Sequence, residues 1–504
     1  MSDVKHVLLI NPTITSARSA RFPLSLLALA GSLEGSCKSR VIDGNIDRDY
    51  LATIRRTLAE RHFDAVGVTV MGGPQVQSAI AASQAVRRTS PAVPIVWGGY
   101  FPTLYADAAI NAAYVDHLIR GPGEAAFAEL MAGIGTGGEQ ALGTIPGLTW
   151  KRDGRAVHNP DRKIADNRSP GLLPYDLLGD PRSYLVKTFL GRRTAAHQAA
   201  MGCRFHCTFC GVAAMFRGAT SLPPAARLER DLTWLRDRIG ADSLQFVDHN
   251  FFDREEQMVP ILEVLAKIQL PWWCYARADA LLNLSPSSWA LARKSRMRMA
   301  YIGAESPNDA MLKSIRKGTR SDQTLAVADL CRRQGVIPEL SFMVAPPVDT
   351  EGETERTFEF IREVKRVNPH SEIIVYIYTP LPAESLPAHS RARAGAPSLR
   401  DLAGNPLHFP ATPEEWTEKK WVDYSCHADA PWLTPPLRRR IRNFVTVLGC
   451  RFPTVQDVGA PAWTKSGLRA LAAWRYRFRR YDRPWELILS KRLIRLADPK
   501  VTSI

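Results

Sequence analysis

A chain of 504 residues with 45% hydrophobic and 23% charged side chains is too long for one ordinary core and too apolar for wholesale disorder, which excludes a single small binding module. Lys and Arg total 66 against 50 Asp and Glu, a formal charge of +16. That balance favours nucleic acid, an anionic membrane leaflet or a phosphate-bearing cofactor without choosing among them. No apolar run reaches the roughly 18 residues of a spanning helix, and the start of the chain lacks the pattern of a secretory leader, so a cytoplasmic location is expected.

Residues 1–145 alternate short apolar strands with helices. HVLLIN at His6 to Asn11, RVIDG from Arg40, AVGVTV from Ala65, PIVWG from Pro94 and DHLIRG from Asp116 read as strands buried on both faces. Such alternation predicts an α/β fold: a doubly wound, Rossmann-like parallel sheet with its ligand site in the loops beyond the strand carboxyl ends. Those loops carry Gly72-Gly73, Gly98-Gly99-Tyr100 and Gly121-Pro122-Gly123-Glu124. Taken alone they read first as tight turns, because no Walker or dinucleotide pattern accompanies them. Residues 146–185 are proline-rich and read as a linker. A second alternating series over residues 186–385 predicts six strands, His197–Met201, Ser243–Val247, Trp272–Ala276, Met299–Gly303, Pro338–Val344 and Ile373–Tyr378. Six units suffice for a partial (β/α)6 TIM-like barrel. Residues 386–504 form a small, mainly helical C-terminal region, basic and aromatic-rich.

Eight cysteines are sparse for this length, yet Cys203, Cys207 and Cys210 crowd into one loop behind a predicted strand. A secreted disulfide framework would not be so arranged. The spacing C-x3-C-x2-C can set three thiolates on one face of an iron–sulfur cubane. A closed zinc site needs a fourth ligand, and His206 would have to share the same short loop. Three ligands on a cubane instead leave one iron open to a small molecule.

This loop, with Phe209 before its last cysteine, resembles the signature of the radical S-adenosylmethionine superfamily. The resemblance extends to Asp248-His249-Asn250-Phe251, Gly303-Ala304-Glu305-Ser306 and Thr379-Pro380-Leu381-Pro382 at later strand ends. It implies a [4Fe-4S] cluster on Cys203, Cys207 and Cys210 whose open iron binds S-adenosylmethionine and cleaves it to a deoxyadenosyl radical. Phe209, Asp248, Asn250, Glu305 and Ser306 are the implied contacts to that cofactor. The fifth strand departs from the pattern, since Phe342-Met343-Val344-Ala345 stands where many relatives carry a glycine-rich stretch. A doubly wound domain before such a barrel, containing PLSLLALAGSLEG, VWGGYFPT and RGPGEAAFAEL, is similar to the cobalamin-binding class of the superfamily. The D-x-H-x-x-G motif is absent from residues 1–150, and His62 and His117 lack its context. The resemblance therefore implies cobalamin held without a histidine on cobalt. Thr69, Gly72, Gly73, Gly98, Gly99, Tyr100, Gly121 and Glu124 are the matching positions around it.

The expected reaction is modification of an unactivated carbon of a small, possibly apolar molecule by methyl transfer from methylcobalamin. Ring closure, as in the anaerobic cyclase of magnesium-protoporphyrin monomethyl ester, is the alternative within the class. A reductant such as flavodoxin or ferredoxin is expected as a partner. A base-modifying iron–sulfur protein is the rival from another class, but no RRM, KH or helix-turn-helix pattern supports it. Between Lys465 and Arg495 ten Lys or Arg interleave with Trp474, Tyr476, Phe478, Tyr481 and Trp485. This tail reads either as a basic helix packing an aromatic stripe on the barrel or as a peripheral membrane contact. Cys426, His427 and Cys450 read as structural.

Overall fold

The computed structural model describes residues 4–134, 138–163, 173–382, 399–456 and 462–494. Strands β1 (Lys5–Asn11), β2 (Cys37–Asp43), β3 (Ala65–Thr69), β4 (Ile95–Gly98) and β5 (His117–Ile119) form a parallel sheet in the order β2-β1-β3-β4-β5. The apolar runs of β1, β3, β4 and β5 are buried on both faces by flanking helices, as continuous apolar strands require, whereas β2, expected to be buried likewise, is the edge strand and leaves Lys38 and Arg40 exposed in alternation. Within the stretch expected as a linker, β6 (Leu148–Arg152) and β7 (Arg155–His158) extend this sheet antiparallel to β5. Asp153 and Gly154 join them with φ of 49° and 76°, the left-handed pair that a two-residue hairpin turn demands.

The second sheet begins at β8 (Thr194–His197); β9 (Met201–Gly202) and β10 (Thr220–Ser221) form a short antiparallel ladder around the cysteine loop. It continues through β11 (Ser243–Phe246), β12 (Trp272–Ala276), β13 (Met297–Glu305), β14 (Ile337–Val344) and β15 (Glu372–Ile377). All six long-sheet strands are parallel and lie in sequential order from β8 to β15, an open six-stranded barrel with its helices outside. The first strand lies earlier than the expected His197–Met201. The backbone N–H groups of Ala199 and Ala200 donate to the Asp248 carboxylate instead of joining the ladder.

The C-terminal region is helical, with helices at Lys419–Ser425, Pro435–Arg451, Ala462–Arg477 and Trp485–Ile494. It is not an appendage. Trp416 is buried against Phe101 and Tyr105 of the first domain, with ring centroids 5.8 and 4.1 Å away, and the Trp432 indole donates to the Ala345 carbonyl of the barrel at 2.9 Å. No helix among the described residues is long and apolar enough to cross a membrane.

Candidate functional site

The cysteine loop starts at Gly202, whose φ of +85° suits glycine and where an added Cβ would fall 2.1 Å from the Ala219 carbonyl oxygen. Cys207 is buried and Cys203 and Cys210 are half-buried. The loop is clamped from four directions. Gly202 N–H donates to His249 Nδ1 at 3.1 Å, Thr208 N–H donates to the Ile315 carbonyl at 3.0 Å, the Asp248 carboxylate holds Ala199 and Ala200 just upstream, and the Arg277 guanidinium lies 3.5 Å over the Phe205 ring. Burial, reinforced by the neighbouring cysteines, pushes the Cys210 thiol up to about 12, and burial raises Cys203 as well. Bare thiolates are thus disfavoured here, and a metal cluster that binds deprotonated sulfur would supply the missing stabilisation. Among the described residues no three His, Cys, Asp or Glu side chains converge on one point for a single ion. Cubane ligands need no such point, because each binds a separate iron.

The other expected contacts border this loop, but several already have partners. Asp248 is almost wholly buried and burial raises its carboxyl to about 7; its role in the fold is to brace the cysteine loop. Asn250 donates to Asp253 at 2.9 Å, while its own carbonyl oxygen is buried without a partner. Glu305 sits at φ +62° where the β13–β14 register slips, and accepts a 2.7 Å hydrogen bond from Lys317 Nζ. Ser306 Oγ accepts from Asn308 N–H at 3.0 Å. Phe209 packs on Leu312, Ile315, Met343 and Tyr378.

Lys317 is the site residue that the sequence did not disclose. It is buried, ion-paired to Glu305, and within electrostatic reach of Cys207 and Cys210. Its backbone carbonyl accepts from Arg277 Nη2 at 2.6 Å, so the two cations flank the loop together. No spacing rule links a lysine in the connection between the helices Asp309–Ser314 and Ser321–Gln334 to a carboxylate twelve residues earlier.

The glycine edge of the first sheet faces this mouth. Gly73 and Gly99 have φ of +72° and +102°, and an added Cβ would meet Cys426 Sγ at 2.7 Å and the Val70 carbonyl oxygen at 2.9 Å respectively. Gly121, at φ +79°, lies under the Met215 carbonyl. Gly72 lies against Ser425. Thr69 ends β3, Gly98 ends β4, and Glu124 opens the helix Glu124–Gly133 in a buried position. Bare backbone is required at Gly73 and Gly99 by Cys426 and Val70, whereas Gly72, Gly98 and Gly121 have no neighbour closer than 3.4 Å to an added Cβ and leave an approachable backbone edge. Tyr100 lies at the junction: its hydroxyl is 2.9 Å from His249 Nε2. Burial pushes His249 down to about 4, so the ring is neutral; with Nδ1 accepting from Gly202, Nε2 carries the proton and donates to Tyr100. His62 is exposed and His117 lies within β5 paired to Trp150, neither on the glycine edge.

Below the cysteine loop the barrel lumen is aromatic and hydroxyl-rich. Tyr301 on β13 and Tyr376 on β15 meet at 2.8 Å between hydroxyl oxygens, which spans the concave face of the intervening β14. Tyr275 stacks obliquely on Tyr301 with centroids 4.9 Å apart. The Trp273 indole nitrogen is buried without a partner, so a donor remains for a guest. His427, read as structural from sequence, hydrogen-bonds to Thr379 and has its ring 6.1 Å from that of Tyr376.

Comparison with known proteins gives two family matches, a B12 binding domain over residues 11–131 and the radical SAM superfamily over residues 199–361. An uncharacterised methyltransferase of Pyrococcus horikoshii is 24% identical over 373 residues, 72% of this chain and 79% of that protein. The anaerobic magnesium-protoporphyrin IX monomethyl ester cyclase of Synechocystis is 22% identical over 56% of this chain and 54% of its own length. Among solved structures, the radical S-adenosylmethionine methyltransferase TsrM of Kitasatospora setae, with tryptophan and a SAM analogue bound, superposes with a TM-score of 0.66 at 19% identity over 97% of this chain and 99% of that one. The cobalamin-dependent radical enzyme OxsB superposes with a TM-score of 0.65 at 15% identity over 98% of this chain and 75% of that one. At these identities the superpositions establish the fold.

Proposed function

The chain belongs to the cobalamin-binding class of the radical SAM superfamily, and we propose that it transfers a methyl group to an unactivated carbon of a small molecule held in the barrel lumen. The observation that carries this reading is the meeting of two cofactor sites at one mouth: the glycine edge touches the cysteine-loop helix through Gly121 and Met215, and Tyr100 touches His249. When bound, the cluster and S-adenosylmethionine supply a hydrogen-abstracting radical and cobalamin supplies a transferable methyl group; the protein contributes position and electrostatics.

Cys203, Cys207 and Cys210 would hold the cluster, with Lys317 and Arg277 offsetting its negative charge. Glu305 and Ser306 would take the ribose and methionine parts of S-adenosylmethionine, with Lys317 fixing the Glu305 carboxylate. The orphan carbonyl oxygen of Asn250 offers a further acceptor, Asp248 contributes by bracing the loop, and Phe209 would offer its backbone to adenine. Thr69, Gly72, Gly73, Gly98, Gly99, Tyr100, Gly121 and Glu124 line the cobalamin edge. Tyr275, Tyr301 and Tyr376 would border the substrate. A one-electron donor of the flavodoxin or ferredoxin kind would reduce the cluster.

The magnesium-protoporphyrin cyclase relative keeps ring closure as a second reading. Anaerobic reconstitution with iron, sulfide and hydroxocobalamin, followed by turnover with methyl-labelled S-adenosylmethionine, separates the two. Methyl transfer predicts S-adenosylhomocysteine, 5′-deoxyadenosine and label in the product. Deoxyadenosine together with an unlabelled, ring-closed product would favour the cyclase reading instead, and iron without cobalt would remove the cobalamin role.

A further inference from the structure

We propose that the helical hairpin Ala462–Arg477 and Trp485–Ile494 is a docking surface for an anionic lipid membrane. Six of the ten exposed large apolar side chains among the described residues lie on this hairpin: Trp463, Leu471, Trp474, Phe478, Trp485 and Leu489. Their exposures are 77, 45, 58, 57, 68 and 60%. Such concentration marks an interaction surface rather than scattered surface residues.

The geometry is that of an amphipath turned outward. Trp463, Leu471, Trp474 and Phe478 are joined by Gly467 into a run with steps of four, four, three and four residues, one stripe along one helix face. Nothing lies within 4 Å of a Cβ placed on Gly467. The opposite face carries Leu468 and Ala472 into the core, while Tyr476 packs on Phe452 and Arg362. Trp485 and Leu489 continue the outward pattern on the second helix at a spacing of four. The aromatic residues of the tail are therefore divided: Tyr476 and Tyr481 serve the core, and the tryptophans do not pack on the barrel.

Charge selects the occupant. Both acids of the hairpin are engaged, Glu486 by Arg475 and Asp482 by Arg440 at 3.9 Å. Arg477, Arg480, Arg483 and Arg492 are exposed with no carboxylate partner among the described residues. Exposed indoles beside unpaired guanidinium groups suit the headgroup layer, where the ring sits at the polar boundary and the cation meets phosphate. A second copy would bring four like charges against four. Single-stranded nucleic acid would gain nothing from Leu471 and Leu489, which offer no face for base stacking.

The test is flotation of the full-length reconstituted protein with phosphatidylcholine vesicles and with mixed phosphatidylcholine–phosphatidylglycerol vesicles. Flotation is expected only with the anionic vesicles and should weaken with added salt. Replacing Arg480→Gln together with Arg483→Gln should lower vesicle affinity by about tenfold or more. Replacing Trp474→Ser together with Trp485→Ser should also abolish flotation, while leaving thermal unfolding and 5′-deoxyadenosine formation unchanged, since both rings are exposed. Absence of flotation, equal flotation on neutral vesicles, or flotation indifferent to both variants would overturn the proposal. So would a protein that does not float but binds oligonucleotide or self-associates through the same tryptophans.

Discussion

Lys317 and Glu305 form an ion pair with both side chains less than a tenth exposed, and removal of one partner would strand the other in a medium that cannot solvate it. Lys317→Ala should therefore lower the unfolding free energy by about 3–5 kcal/mol, whereas Lys317→Met combined with Glu305→Gln should recover most of that loss. Denaturant unfolding of the three proteins checks it. Ala345 has a φ of +56°, a left-handed turn made without the residue that suits it. Thr354 Oγ1 accepting from Ala345 N–H and the Trp432 indole donating to its carbonyl hold that conformation. Ala345→Gly relieves the steric cost but gives the unfolded chain more freedom, so a stabilisation of up to about 1 kcal/mol is expected. The three cysteines stood out in the sequence because their spacing is local and of the kind that cluster chemistry favours. Lys317 was not, because a buried cation is recruited by the three-dimensional proximity of thiols and a carboxylate.

The strands show the same division between local and non-local information. Continuous apolar runs located β1 to β5 and most of the second sheet, but β8 ended early because the Asp248 carboxylate outcompetes a neighbouring strand for two backbone N–H groups. The β6–β7 hairpin was available in the sequence as Asp153-Gly154 between two short apolar runs, and the surrounding prolines obscured it. Inside the barrel, β14 places Glu339 in the lumen, where burial and, secondarily, the Glu372 charge push its carboxyl up to about 8. Its partner is Gln456 of the C-terminal region. The folded protein thus keeps a proton that the unfolded chain releases near its ordinary value. Stability should fall as pH rises from about 4.5 to about 8 and level off above that, as linkage requires. Glu339→Gln should flatten this slope in melting temperatures measured across the same range; an unaltered slope would assign it to other groups.

Three regions of the chain pack against one another. Domain boundaries read from composition separate residues 1–145 from 386–504, yet Trp416 sits among Phe101, Tyr105, Phe409 and Trp421, and Tyr114 hydrogen-bonds Glu414 at 2.8 Å. A chain ending at residue 382 would expose that aromatic face of the first domain to water, so it should melt well below the full-length protein and bind cobalamin more weakly. Calorimetry and equilibrium dialysis check both outcomes; a truncated chain with unchanged melting and cobalamin affinity would show that the regions are independent. Sequence periodicity could not have shown this, because each helix reveals which face is apolar and never which distant surface covers it. Another meeting of these regions, Cys426 beside Gly73, also sets a schedule. During synthesis the glycine edge is complete hundreds of residues before the segment that covers it emerges from the ribosome. The nascent chain therefore passes through an interval in which the edge is uncovered, and a ligand supplied then need not displace Cys426 to arrive.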